Sequence, residues 1–214
     1  HEFRTPLSNI GLAVSMLSKK HTELKDNQLV EVIRRENKKL LQEVERVLHL
    51  AKVENGDYAL EKEQLSVEHL LQTAVDSLVM PIAERQANVS LEDIPHDLYI
   101  WGDKQHLTSV FCNLLDNALK YTKERPLIHI SAKTDEQGVI VAIQDNGIGI
   151  PSHQREIIFE KFQRIHQGDQ HSAKGFGLGL AYVKRMIELH KGFVRVSSEE
   201  NRGSKFEVYL PTVL

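Results

Sequence analysis

Three segments in the second half of the chain combine carboxamides, a carboxylate and closely spaced glycines. In Asn113-Leu114-Leu115-Asp116-Asn117 two asparagines stand four residues apart, which on a helix places them on one face. Carboxamide oxygens are hard ligands, and Mg²⁺ bound to phosphates is held by only a few protein oxygens. The same amides can equally cap or hydrogen-bond locally. In Asp145-Asn146-Gly147-Ile148-Gly149-Ile150, directly after a strand-like run, the glycines permit close backbone approach to a ligand, and Asp145 can accept a hydrogen bond from an exocyclic amine. Gly175-Phe176-Gly177-Leu178-Gly179-Leu180 opens a helix pattern, where exposed amides and the aligned backbone dipoles attract phosphate oxygens. This run is not a dinucleotide fingerprint, because a Gln/His/Lys-rich loop precedes it where that motif needs a strand. It also lacks the Gly-Lys-Ser/Thr of a P-loop.

These segments need elements to hold them. Leu7, Ile10, Val14 and Leu17 recur at three- and four-residue spacing and predict a helix from Thr5 to about Ser18. Pro6 suits its first turn or a bend. A polar connection, Lys19 to Asn27, leads to a second helix carrying Leu29, Ile33, Leu40, Val44, Val47 and Ala51 near a heptad seam that polar Glu36 interrupts. Two such helices form an antiparallel hairpin whose apolar faces remain uncovered, so two copies are expected to pair as a four-helix bundle. Asn55-Gly56-Asp57 is a turn signal and divides the chain into domains 1–55 and 56–214. Beyond it the pattern predicts a helix from Val67 to about Arg85 and short strands at Asn88–Glu92 and Leu98–Trp101. A long helix follows over Gln105–Tyr121, then strands Leu127–Thr134 and Val139–Gln144, a helix Gly179–His190, and a hairpin closing around Asn201-Arg202-Gly203. The elements do not alternate strictly, so the expectation is α+β: a helical hairpin followed by a two-layer sandwich, not a Rossmann sheet.

With a formal net charge of −3 and no long Lys/Arg block, nothing points to nucleic acid. The lone Cys112 excludes an internal disulfide and reads as a small buried core residue. The histidines lack metal-ligand spacing. No apolar run approaches the roughly 20 residues a membrane helix requires. A helix starting at His1 has no capping residue before it, so the polypeptide is expected to continue upstream, with any membrane attachment there.

In order, Asn117, Asp145-Gly147-Gly149, Phe159/Phe162 and Gly175-Gly177-Gly179 resemble the N, first glycine, F and second glycine boxes of the histidine kinase ATPase domain. Gly203-Ser204-Lys205-Phe206 resembles that domain's closing hairpin, and His1-Glu2-Phe3-Arg4-Thr5-Pro6-Leu7 resembles the phosphoacceptor box of sensor histidine kinases. The match covers almost the whole chain. Each box alone is a weak motif, and six in register are strong evidence. The resemblance implies Mg-ATP, with Asn117 on the metal and Asn113 supporting it or the phosphates. It implies Asp145 on the adenine amine, Gly147 and Gly149 lining the base pocket, and Lys120 and Tyr121 facing phosphate and sugar. Gly175, Gly177, Leu178 and Gly179 would cradle phosphates, and the polar stretch Arg164 to Lys174 would be a lid. Phe159 and Phe162 would anchor that lid or serve as core aromatics. His1 would be the nucleophile, since a largely neutral imidazole can attack phosphorus, with Glu2 accepting the other ring proton. Thr5, one turn on, would position water for dephosphorylating a response regulator receiver domain or merely cap the helix. His106 stands where the family often has arginine, which puts a salt bridge to Asp103 in doubt. The implied partners are a second copy and a receiver aspartate, and the implied place is the cytoplasmic portion of an inner-membrane sensor.

The same ATP-binding fold serves ATP-hydrolysing chaperones, topoisomerases and mismatch-repair proteins, which place a water-activating glutamate one turn before the metal asparagine. Here that position is Asn113, without useful basicity. A non-catalytic scaffold is the other alternative, and the intact Asn117, Asp145 and glycines argue against it.

Overall fold

The two helices written into the first 55 residues are present in the computed structural model of the chain, which describes residues 4–21, 27–54, 59–122, 124–163 and 177–212. They are α1 (Arg4–Lys20) and α2 (Gln28–Glu54). Leu7 and Val14 are buried one above the other. Polar ties run antiparallel along the pair: Asn37 Nδ2 donates to Leu7 O at 3.0 Å, and Arg34 Nη2 to Ser18 Oγ at 3.2 Å. Ile10, Leu17, Ile33, Leu40 and Val47 of the expected seams stay exposed in the single chain. The chain forms two units, residues 1–58 and 59–214. The turn residues Asn55-Gly56-Asp57 lie outside the described residues.

In the second unit, alternation of apolar residues builds a five-stranded sheet in the order β2-β4-β5-β7-β6. Its strands are β2 (Asn88–Leu91), β4 (Leu127–Asp135), β5 (Gly138–Asp145), β6 (Phe193–Glu199) and β7 (Gly203–Pro211). Only β2–β4 pairs parallel; the other neighbours are antiparallel. Ile128, Ile130, Val139, Val141, Ile143, Phe206, Val208 and Leu210 turn to one face and are buried, as period-2 patterning requires. That face is covered by α3 (Val67–Asp76), α5 (Lys104–Lys120) and α6 (Gly179–Leu189), with Leu70, Leu71, Phe111, Leu114, Leu115, Met186 and Ile187 fully enclosed. A separate antiparallel ribbon joins β1 (Glu63–Ser66) to β3 (Tyr99–Gly102).

Two expectations are corrected, and one strand is additional to those expected. The helix over 67–85 is broken: α3 ends at Asp76 and α4 spans only Val79–Glu84. Pro81 sits inside the would-be continuous helix, where it has no N–H for the preceding turn and its ring clashes with it. The strand β1 has no signature in the sequence, because four residues with a single buried side chain, Leu65, carry no readable alternation. Cys112 is half-buried, with its Sγ 3.0 Å from Ser77 Oγ. Its place on α5 turns it to the end of α3, away from the fully enclosed row.

Candidate functional site

The ends of β5, β7 and α5 and the start of α6 border one cleft, enclosing about 570 Å³ of open and part-enclosed space. Its walls are Asn117, Ala118, Tyr121, Asp145, Ile148, Gly149, Ile150, Ile158, Gln163, Leu180, Ser204 and Phe206. Mostly apolar walls with a few converging polar groups are the make-up of a small-ligand site.

Asp145 ends β5. Its Oδ1 accepts from Gly147 N at 2.8 Å and from Ser204 N at 3.2 Å. Among the described residues no hydrogen bond is made by Oδ2. Burial pushes the carboxyl above its ordinary value, opposed by those two backbone donors. A half-buried carboxylate with one oxygen committed and one open is poised to accept from a ligand donor.

Gly149 lines the cleft and Gly147 does not, and each is hemmed in by neighbouring protein atoms. At Gly149, with φ +70°, a Cβ would lie 2.0 Å from Glu199 O, so the 145–150 loop can sit against the β6–β7 hairpin only without a side chain. At Gly147 a Cβ would lie 2.7 Å from Asp145 Oδ1. The loop is tied by Ile148 N to Tyr121 O at 2.9 Å and by Asn201 N to Ile148 O at 2.7 Å.

On α5, Asn117 and Tyr121 line the cleft. Asn113 does not. It is buried, its Nδ2 donates to Ser109 O at 2.7 Å, and its Oδ1 lies where a Cβ on Gly179 would be 3.1 Å away. Asn113 thus fills the contact between α5 and the start of α6. Lys120 is exposed and paired with Asp116 one turn back on the same helix, outside the lining. Among the described residues no side chain caps the N-terminus of α6, and its first turn carries no acidic residue. Its amides beside Gly177, Leu178 and Gly179 are suited to an anion. Phe159 packs edge-on against Phe206 at 6.4 Å, while Phe162 is 67% exposed. Phe162 is held instead through its backbone N, which donates to Gly177 O at 3.0 Å. His1, Glu2, Arg164, Lys174 and Gly175 lie outside the described residues, and Thr5 is placed only as part of the α1 backbone.

Sequence reasoning did not single out the apolar walls Ile148, Ile150, Ile158 and Leu180, nor Gln163. The signal for Ile148, Ile150 and Leu180 was their place in the glycine runs, and for Ile158 and Gln163 their adjacency to Phe159 and Phe162. His106 does not lose all contact with Asp103. Its backbone N donates to Asp103 Oδ1 at 3.1 Å, its Nε2 lies 3.9 Å from Oδ2, and its Nδ1 meets Tyr182 Oη at 2.8 Å. Burial lowers its pKa against the pull of Asp103, so in place of an arginine-type salt bridge stands an imidazole bonded to Tyr182 and beyond hydrogen-bond distance of the carboxylate.

Residues 102–214 match the family described as histidine kinase-, DNA gyrase B- and HSP90-like ATPase, and residues 1–56 match the His Kinase A (phospho-acceptor) domain. Sensor protein RprX of Bacteroides fragilis is 37% identical over 99% of this chain and 42% of its own length. The circadian input-output histidine kinase CikA of Thermosynechococcus vestitus is 32% identical over 100% of this chain and 30% of its own. The chain thus spans well under half of these curated relatives. Full-length ShkA, solved in complex with AMPPNP, superposes with a TM-score of 0.81 at 27% identity, covering 100% of this chain and 45% of that one. Among the described residues no helix is long and apolar enough to cross a membrane. With the His Kinase A (phospho-acceptor) match over residues 1–56 ahead of the histidine kinase-type ATPase match over residues 102–214, the chain belongs to the sensor histidine kinase family.

Proposed function

We propose that the chain binds Mg-ATP in this cleft and phosphorylates its own His1. The observation that carries the reading is the open Oδ2 of half-buried Asp145 at the end of an apolar cleft that Asn117 also lines. An acceptor there takes the amine of adenine, Ile148, Ile150 and Phe206 hold the ring faces, and the α6 N-terminus receives phosphate oxygens. The fit extends to a metal: the Asn117 carboxamide is a hard donor facing the cleft, and Mg²⁺ there would neutralise phosphate charge. Histidine transfer balances simply. An imidazole nitrogen bonds to the γ-phosphorus, the bond to the bridging oxygen breaks, ADP leaves, and Glu2 holds the other ring proton. Asn113 supports transfer over hydrolysis, because its carboxamide is engaged with Ser109 O and α6 and has no basicity to activate water.

The 1–55 hairpin would be the phosphoacceptor part and 56–214 the ATP-binding part. The exposed Ile10, Leu17, Ile33, Leu40 and Val47 would pair with a second copy as a four-helix bundle. His1 would then pass phosphate to an aspartate of a response regulator receiver domain. Thr5 would position water for the reverse removal, in which case Thr5→Ala spares autophosphorylation and slows dephosphorylation. By likeness to sensor proteins, the chain would be the cytoplasmic portion of an inner-membrane sensor. The test is incubation with γ-³²P-ATP. Acid-labile label that disappears in His1→Ala is expected, and acid-stable label, or label that survives the substitution, contradicts the assignment.

A further inference from the structure

Ser198, on β6, does not line the cleft, yet its hydroxyl joins three groups at the cleft's base end. Ile150 N donates to Ser198 Oγ at 2.8 Å, Ser198 Oγ donates to Gly203 O at 2.8 Å, and Ser198 Oγ lies 2.9 Å from Ser204 Oγ. A serine hydroxyl has one proton and two lone pairs. If that proton pointed at Ser204, Ser198 Oγ and Gly203 O would face each other at 2.8 Å with no hydrogen between them, which is repulsive. The proton therefore lies on the Gly203 contact. Both lone pairs then accept, one from Ile150 N and one from Ser204. Ser204 must spend its only proton on Ser198, and what it presents to the cleft is a lone pair.

We propose that Ser198 is a positioning residue for base specificity: by taking the Ser204 proton it makes Ser204 an obligate acceptor, so that Ser204 and Asp145 together select a 6-aminopurine over a 6-oxopurine. This rests on reading the cleft as an adenine site and adds which residue enforces the choice. Ser204 lines the cleft and its backbone N holds Asp145 Oδ1, so the two acceptors belong to one rigid corner. An amine donor meets two lone-pair faces there, whereas a purine carbonyl meets acceptors only. Without Ser198, the Ser204 hydroxyl is free to rotate and donate to that carbonyl.

Inosine triphosphate is the probe, because it replaces the 6-amino group of ATP with oxygen, with N1 turned from acceptor to donor, and leaves ribose and phosphates unchanged. Affinities for both nucleotides are measured by calorimetry on the unaltered chain, Ser198→Ala and Ser198→Thr. The unaltered chain is expected to prefer ATP by about tenfold or more, the scale set by leaving one buried polar group unsatisfied. Ser198→Ala should cut that ratio about fivefold or more, and Ser198→Thr, which keeps the hydroxyl, should retain it. Loss of the Ile150 acceptor weakens binding of both nucleotides, so the ratio is the readout that a merely structural role would not move. Equal weakening of ATP and ITP in Ser198→Ala overturns the proposal while leaving the adenine reading in place. Absence of any preference in the unaltered chain overturns the adenine reading itself, and this proposal with it. If Ser198→Ala does not fold by circular dichroism, Ser204→Ala carries the test: it must collapse the same ratio, and an unmoved ratio refutes the assignment.

Discussion

Replacing Asp145 with asparagine changes one atom in the cleft and little else. Both backbone bonds go to Oδ1, from Gly147 N at 2.8 Å and Ser204 N at 3.2 Å, and an asparagine Oδ1 can keep them. The other oxygen becomes an NH₂, so the acceptor facing the ligand turns into a donor facing the adenine amine. The loss is one charge-assisted hydrogen bond, about 1.5–3 kcal/mol, or roughly ten- to 150-fold in Kd at 1.36 kcal/mol per tenfold. Stability without ligand should move the other way. Burial raises the Asp145 pKa above its unfolded value, so the folded state binds more protons than the unfolded one between the two values. Stability then falls as pH rises through that window, and ionised Asp145 weighs against the fold at neutral pH. A neutral asparagine removes that cost. Nucleotide displacement titration and thermal unfolding of the same protein check the pair of outcomes: weaker ATP binding with unloaded stability equal or higher. Unchanged ATP affinity would refute the role of Oδ2. A large loss of unloaded stability would show that Asp145 is structural. In the unaltered chain ATP affinity should fall on acidification at a higher pH than an ordinary carboxylate would give.

Asn117→Ala should leave the fold intact, since Asn117 is only half-buried and faces the cleft, and should abolish Mg²⁺-dependent phosphorylation; full activity with Mg²⁺ removes it as the metal ligand. Gly149→Ala places a Cβ 2.0 Å from Glu199 O at φ +70°, which forces the loop off the hairpin; a cost of several kcal/mol by urea unfolding is expected, above the roughly 1–2 kcal/mol for the left-handed conformation alone. His106 and His190 are both buried with lowered pKa, His190 chiefly by desolvation and then by Lys62. The unfolded chain therefore takes up protons first, and stability should drop as pH falls below about 6.5 toward the folded values, by denaturant titration at pH 7.5 and 5.5.

The glycine and asparagine boxes were readable because their spacing is local. Asn117 lies on a predicted helix, Gly149 is in a loop between strand signals, and Gly177 to Gly179 leads into α6. The helices and sheet strands likewise follow from period and length. What the sequence left open was which way each side chain turns. Asn113 and Asn117 share a helix face by spacing, yet α6 packs on one and the cleft opens at the other, because Gly179 brings α6 against Asn113. Phe159 and Phe162 are three apart, and only Phe159 reaches Phe206. The break at Ser77-Leu78 could have been read from Pro81, but a four-residue strand such as β1 exists only because β3 pairs with it. Ser198 shows the same division. As sequence it is one of several serines near a hairpin; pairing within that hairpin sets its hydroxyl beside Gly203 and Ser204, and only the docking of the hairpin onto the 145–150 loop adds Ile150. The sequence determined which chemical groups the chain carries and on which elements. The tertiary structure decided which of them share a hydrogen atom, because hydrogen bonding depends on tenths of an ångström, and the Ile150–Ser198 bond is set between residues 48 positions apart.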